Sequence, residues 1–323
     1  MMFMDNEKLK LINMEDVQVE EVKWLLYPFI PFGKITILQG DPGEGKTTVM
    51  LHIIARLTKG EPLAFCEDDA EYEPMNVIYQ TAEDGLGDTI KPRLLDAGAD
   101  CSKVMVIDDS DEPLTISDDR LEMAIEVSGA KLVVLDPLQG YLGAGVDMHR
   151  ANEIRPLMHR LSVLAEKYQC AVVLIGHMNK NSMSKAGYRA LGSIDIPAAA
   201  RSVIVCGRMK DDPEMRVLCQ IKNSLAPEAQ AIAFGLDRET GFRWIGEVDV
   251  TVDELISGEC KTSRLQEAET FLQETLQDGE LSATEIYSLA EKEGIKQKTL
   301  RNAKNKMGVA VEKKNNKWYW KIV

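Results

Sequence analysis

Residues 34–47 read KITILQGDPGEGKT. The first six residues form a short apolar run rich in β-branched side chains, as expected of a buried strand. Residues 40–47 then match GxxxxGK[ST], and the apolar spacing over 46–58 is helical. A strand, a glycine-rich turn and a helix in that order form a loop whose backbone N–H groups converge on phosphate oxygens, with the positive end of the helix dipole behind them. Gly40, Asp41, Pro42, Gly43, Glu44, Gly45, Lys46, Thr47 and Thr48 are therefore candidate phosphate-contacting residues. Lys46 is placed to reach the β- and γ-phosphates, and the Thr47 hydroxyl to ligate Mg²⁺. The ligand expected from this pattern is a nucleoside triphosphate, ATP with Mg²⁺.

Downstream of this loop, short apolar strands alternate with helical stretches. Strands are expected at 76–81, 104–107, 131–135 and 171–176. Helices are expected at 89–97, at 118–127 with Ser117 as N-cap, and at 151–168. This alternation predicts an α/β fold with a mainly parallel sheet covered on both faces. After about residue 200 the helices cease, and 202–208, 215–222 and 231–235 read as strands that extend the sheet in antiparallel fashion. The expected divisions are an N-terminal extension over 1–20, a core over 21–246, a linker over 247–262 and a separate unit over 263–323.

The strand ends carry the remaining chemistry. Asp136 closes 131–135, where a carboxylate beside the phosphate loop anchors Mg²⁺. Glu83, with Asp84 as the alternative, follows 76–81 and is a candidate to orient the attacking water. His177 follows 171–176, within reach of the γ-phosphate.

Bulk composition excludes several classes. No apolar run approaches the roughly 20 residues a membrane span needs, and the N-terminus has no secretory pattern, so a cytoplasmic protein is expected. The six cysteines, at 66, 101, 170, 206, 219 and 260, include no CxxC pair, which argues against a zinc cluster. Cys170, Cys206 and Cys219 sit in apolar strands and read as small buried hydrophobes. The net charge of −14 is uneven: residues 261–323 hold 12 Lys/Arg against 9 Asp/Glu, leaving −17 on residues 1–260.

Taken together, GDPGEGKTT, QTAEDG, LVVLDPLQGYL, VLIGHMNK and RALGSIDIPAAARSV resemble, in order and spacing, the RecA-type core of ring-forming ATPases. The chain is most similar there to the RepA-type hexameric replicative helicases of plasmids and to related phage and prophage ATPases. The resemblance covers about 20–245. It implies that Glu83 is the catalytic glutamate, Asp136 the Mg²⁺ aspartate and His177 the sensor. It also implies that Arg201 enters the ATP site of a neighbouring subunit, with Lys222 as a second basic residue acting there; read alone, Arg201 fits an ion pair within the chain and Lys222 a surface lysine. Loops 139–150 and 178–192 would face a central channel, the second offering Lys180, Lys185 and Arg189 to single-stranded DNA.

Over 263–323 the pattern is three helices and a hairpin, similar to a winged helix-turn-helix. Leu265, Ala268, Leu272 and Leu276 form the inward stripe of the first helix. Ser282 and Glu285 make a capping box for the second. Leu300, Ala303 and Met307 are the core stripe of the third, with Lys298, Arg301, Asn302 and Asn305 on another face, as in a groove-entering helix. RepA-type cores do not require such a tail; its expected partners are duplex DNA or a replication protein. The function expected is an ATP-dependent helicase or translocase acting in plasmid, phage or mobile-element replication, assembled as a hexameric ring. The alternatives are an ATP-switched DNA-binding regulator or loader that does not unwind, and a recombination mediator of the same fold.

Overall fold

The computed structural model describes residues 11–63, 73–178, 195–209, 212–227, 229–237, 240–257, 264–277, 279–314 and 317–322, with the backbone alone at 264–267, 298, 305, 306 and 317. A small antiparallel hairpin, β1 (Trp24–Leu26) and β2 (Ile30–Pro31), leads into β3 (Ile35–Gly40) and helix α1 (Lys46–Lys59). Strand β4 (Val77–Thr81), helix α2 (Lys91–Asp96), strand β5 (Val104–Met105), helix α3 (Asp119–Ser128) and strand β6 (Leu132–Asp136) follow. Then come α4 (Ala151–Tyr168), β7 (Ala171–His177) and the short α5 (Asp195–Ala199). Four strands complete the sheet: β8 (Ser202–Arg208), β9 (Met215–Asn223), β10 (Ala231–Asp237) and β11 (Gly241–Val248).

These strands form one nine-stranded sheet in the order β11-β10-β9-β8-β3-β7-β6-β4-β5. From β8 to β5 all pairings are parallel, and from β8 to β11 all are antiparallel. Alternate strand residues serve two cores. Leu38, Tyr79, Val134 and Val173 pack with Val49, Ile53 and Leu94 of α1 and α2. Ile37, Ile78, Val133 and Leu174 pack with Ile125, Ile154 and Leu161 of α3 and α4. Each such side chain, fully buried, contributes roughly 1.5–3 kcal/mol. Strand β3 is buried at all six positions, as a central strand covered on both faces must be, whereas the edge strand β11 alternates between exposed and half-buried positions.

Several local expectations are corrected. Asp118, not Ser117, caps α3: its carboxylate accepts the Arg120 N–H at 2.8 Å. The helix expected at 89–97 begins as a π-turn over Leu86–Ile90, with α2 taking over at Lys91. The strand expected at 104–107 pairs only over Val104–Met105. Beyond it the buried Gln80 side chain takes over the pairing, donating to the Ile107 carbonyl at 2.8 Å and accepting the Ile107 N–H at 3.0 Å. Strand β11 was missed; it pairs with β10 from Asp237↔Gly241 to Ala231↔Val248. The stretch 247–262, expected as a linker with one helical turn, holds helix α6 (Val252–Ser257). Its Leu255 is buried and stands where a side chain at Gly207 of β8 would be. Cys170, Cys206 and Cys219 are buried as expected.

The C-terminal stretch comprises α7 (Arg264–Leu276), β12 (Leu281–Ser282), α8 (Ala283–Lys292), α9 (Gln297–Lys306), β13 (Ala310–Lys314) and β14 (Lys317–Lys321), its strands ordered β12-β14-β13. Ala268, Leu272, Leu276, Ile286, Leu300, Ala303 and Trp320 form its core, with Met307 partly buried against it. The Ser282–Glu285 capping box is present on α8. No helix among the described residues is long and apolar enough to cross a membrane.

Candidate nucleotide site

The loop between β3 and α1 is shaped by close approaches that only glycine allows. A Cβ at Gly40 would lie 2.2 Å from the Cys206 carbonyl oxygen of β8, so the loop lies directly against that strand. Gly45 is the N-cap of α1 at φ 88°, a left-handed conformation, and a Cβ there would meet Phe234 and Leu236 of β10 at 3.3 Å. No side chain caps α1, so its first N–H groups remain directed at the loop, as an anion site requires.

Lys46 is 5% exposed, and burial lowers its pKa. Its ammonium donates to the carbonyls of Gly40 at 2.9 Å and Asp41 at 2.8 Å, and lies 3.4 Å from His177 Nδ1. An ammonium has only donors, so Nδ1 is the ring nitrogen turned toward a donor and Nε2 is turned the other way. That nitrogen faces Glu83, whose Oε1 is 3.8 Å away. Lys46, His177 and Glu83 thus stand in one row across the strand tips. The tip of β4 is held there by the Ala82 N–H, which donates to the Asp136 carbonyl at 3.0 Å. Asp84 is directed elsewhere: its carboxylate accepts from Arg93 at 3.2 Å, and its own N–H donates to Thr81 Oγ1 at 3.2 Å.

Asp136 ends β6 at 8% exposure. Burial raises its pKa, opposed by hydrogen bonds from Thr47 and Tyr79. Thr47 Oγ1 and the Tyr79 hydroxyl each donate to its Oδ2 at 2.7 Å. A hydroxyl that gives its proton to Asp136 keeps its lone pairs for a metal, and the pair supplies hard oxygen donors suited to Mg²⁺. Among the described residues no group of three or more His, Cys, Asp or Glu could hold a metal ion. Two oxygen-bearing side chains, Thr47 and Asp136, suit a cation that keeps waters and takes substrate phosphates as ligands, which is the habit of Mg²⁺.

Arg201 lies at the other end of the sheet. Its N–H donates to the Ile35 carbonyl at 3.0 Å, at the start of β3, while the phosphate loop follows Gly40 at its end. At about 3.3 Å per residue the two ends are roughly 16 Å apart. Lys222, expected to serve a neighbouring site, is engaged within its own chain. Its ammonium donates to the carbonyls of Pro197, Ala198 and Ala200 at 2.8, 3.0 and 2.7 Å. It clamps the C-terminal end of α5 immediately before Arg201, a cation where helix carbonyls collect negative charge.

Of loop 139–150, Tyr141 and Leu142 are buried, and Arg150 pairs with Asp147 and Glu153. Lys180, Lys185 and Arg189 lie outside the described residues, as do the side chains of Lys298 and Asn305. Arg301 Nε donates to the Tyr287 hydroxyl at 3.2 Å, Asn302 is exposed, and Lys304 sits over the Trp320 ring.

Sequence reasoning missed three neighbours of the loop. Tyr79 reads as a core residue in an apolar strand, and nothing in VIYQT singles out its hydroxyl. Cys206 Sγ donates to the Glu44 carbonyl at 3.1 Å. Arg208 Nη2 donates to the Gly43 carbonyl at 3.4 Å, and its Nε lies 3.7 Å from Glu44. Parallel pairing of β3 with β8 brings the end of β8 beside the loop, a signal available only once the strand order is known.

Residues 5–183, more than half of the sequence, match the AAA domain family AAA_25. The chain belongs to this family. The AAA domain is here a RecA-like P-loop ATPase core, in keeping with the strand order and with similarity to two curated relatives. The DNA repair protein RadA of Mycobacterium tuberculosis (strain H37Rv) is 24% identical over 176 residues, 54% of this chain and 32% of RadA. Protein RecA of Clostridium novyi (strain NT) is 26% identical over 243 residues, 69% of this chain and 64% of RecA. The chain thus spans about a third of RadA and under two thirds of RecA.

Proposed function

We propose that this chain is an ATP-driven DNA motor of the RepA type, working as a ring in which each ATP lies between two subunits. The observation that carries this reading is the division of the site. Lys46, Thr47, Glu83, Asp136 and His177 gather at one end of the sheet, and Arg201 stands at the other, beyond reach of its own phosphate loop. A neighbouring copy is then the natural recipient of Arg201.

In this reading Lys46 and the loop amides hold the ATP phosphates. Glu83 orients a water molecule for in-line attack on the γ-phosphorus and takes its proton as the bond to ADP breaks. Thr47 and Asp136 would hold Mg²⁺, which would supply positive charge against the phosphates. His177, between Lys46 and Glu83, registers loss of the γ-phosphate and passes it to the loop that follows. Arg201 of the adjacent subunit stabilises charge on the transferred phosphoryl group. The helix–strand–helix–helix–hairpin order over 264–321 supports a winged-helix reading of the tail, with Arg301 and Asn302 as duplex contacts.

The test is steady-state ATPase with no DNA, with single strands and with duplex. Stimulation of tenfold or more by single strands is the expected result. A rate indifferent to single strands would sink the motor and leave an ATP-switched regulator or loader. A recombination mediator is a further reading, favoured by the names of the RadA and RecA relatives; helical filaments rather than closed rings in electron micrographs would select it.

A further inference from the structure

Strand β4 reads VIYQT, and Tyr79 is its one residue whose buried side chain bears an ionisable group. The ring packs in the core between the sheet and α1, where phenylalanine would serve equally well. The hydroxyl is what needs explaining, since a buried phenol must find a partner. Tyr79 pairs with Val134 in the β4–β6 register, and Asp136 lies two residues further along β6 on the same face. That diagonal is within reach of an aromatic side chain, and the Tyr79 hydroxyl meets Asp136 Oδ2 at 2.7 Å. Thr47 Oγ1 donates to the same oxygen, also at 2.7 Å.

We infer that Tyr79 is a positioning residue for Mg²⁺, locking the Asp136 carboxylate with Oδ2 turned inward so that Oδ1 is the edge offered to the metal's water shell. The inference rests on the ATPase reading of the site and goes beyond it. Both donors act on the one oxygen, so Thr47 from α1 and Tyr79 from β4 together hold Oδ2 more tightly than either hydroxyl would alone. Outer partners that orient metal-binding groups typically change metal affinity by about 10- to 100-fold when removed.

The experiment uses the full chain and measures affinity for a fluorescent ADP in Mn²⁺ and in EDTA, for wild type, Tyr79→Phe, Asp136→Asn and the double variant. Tyr79→Phe keeps the ring, and thermal unfolding without nucleotide checks that the fold is intact. The expected result is roughly 10-fold weaker binding in Mn²⁺ with unchanged affinity in EDTA, and no further loss when Tyr79→Phe is added to Asp136→Asn. Equal affinity of Tyr79→Phe and wild type in Mn²⁺ would overturn the inference. So would an equal loss in the Asp136→Asn background, or a loss that persists in EDTA, since either marks a packing role. If wild type itself shows no metal-dependent binding, the ATPase reading falls first, and the role of Tyr79 with it.

Discussion

The two ends of the parallel sheet are built differently. At the end of β3 that carries the phosphate loop, charged and polar side chains from α1, β4, β6 and β7 converge and bond to one another. At the opposite end, Lys222 is bound by three backbone carbonyls, and Arg201 is anchored through its backbone to β3 and to Ser224. At one end the side chains bond to one another. At the other, the bonds of Lys222 and Arg201 run to backbone. The difference teaches that one sheet can gather side chains that bond to one another at one end and side chains held by backbone at the other.

Four substitutions break or sharpen this contrast. Lys46→Ala has the largest expected effect: turnover falls to background and ATP binding weakens at least tenfold, measured by phosphate release and nucleotide titration. Arg201→Ala is expected to lower turnover by about 10³-fold or more but to leave ATP affinity within twofold, as the proposed contact with the transition state in another copy requires. Mixing Arg201→Ala with Lys46→Ala subunits restores a fraction of the rate; normal turnover by Arg201→Ala alone would break the proposed division of the site. Lys222→Met removes the clamp rather than a catalytic group. We expect a several-fold fall in kcat with unchanged ATP affinity, and a loss of about 1–3 kcal/mol in stability by denaturant unfolding, from three carbonyls left unpaired. A fall as deep as that of Arg201→Ala without loss of stability would return Lys222 to the neighbour's site. Arg208→Gln is expected to matter least: its contact with Glu44 is 3.7 Å long and its side chain 43% exposed, so stability changes by under about 1 kcal/mol.

Much of this was legible in the sequence where a local rule decides it. The phosphate loop is written as glycine spacing between a strand and a helix, and Asp136, Glu83 and His177 follow from strand ends. What was not legible depends on neighbours in space. The bonds of Lys222 were not legible because its carbonyl acceptors come from α5 and the residue after it, more than 20 residues earlier in the chain. Asp118 outcompeted Ser117 as a cap because its carboxylate also pairs with Arg120. Strand β11 hid because an edge strand with half-buried, mixed side chains lacks the apolar run that marked the central ones. Helix α6 was legible only as one helical turn in a linker, and the place of its buried Leu255 against Gly207 shows only in the fold.

Gln80 completes both backbone hydrogen bonds of Ile107 with a side-chain amide, where a longer β5 would have used a second strand. In deuterated solvent, the Ile107 N–H is thus shielded by a side chain anchored in β4, and its exchange rate follows the opening of the core rather than the fraying of the sheet edge. Exchange at that one amide reports on the interior from a position in the chain that has the outward form of a loop.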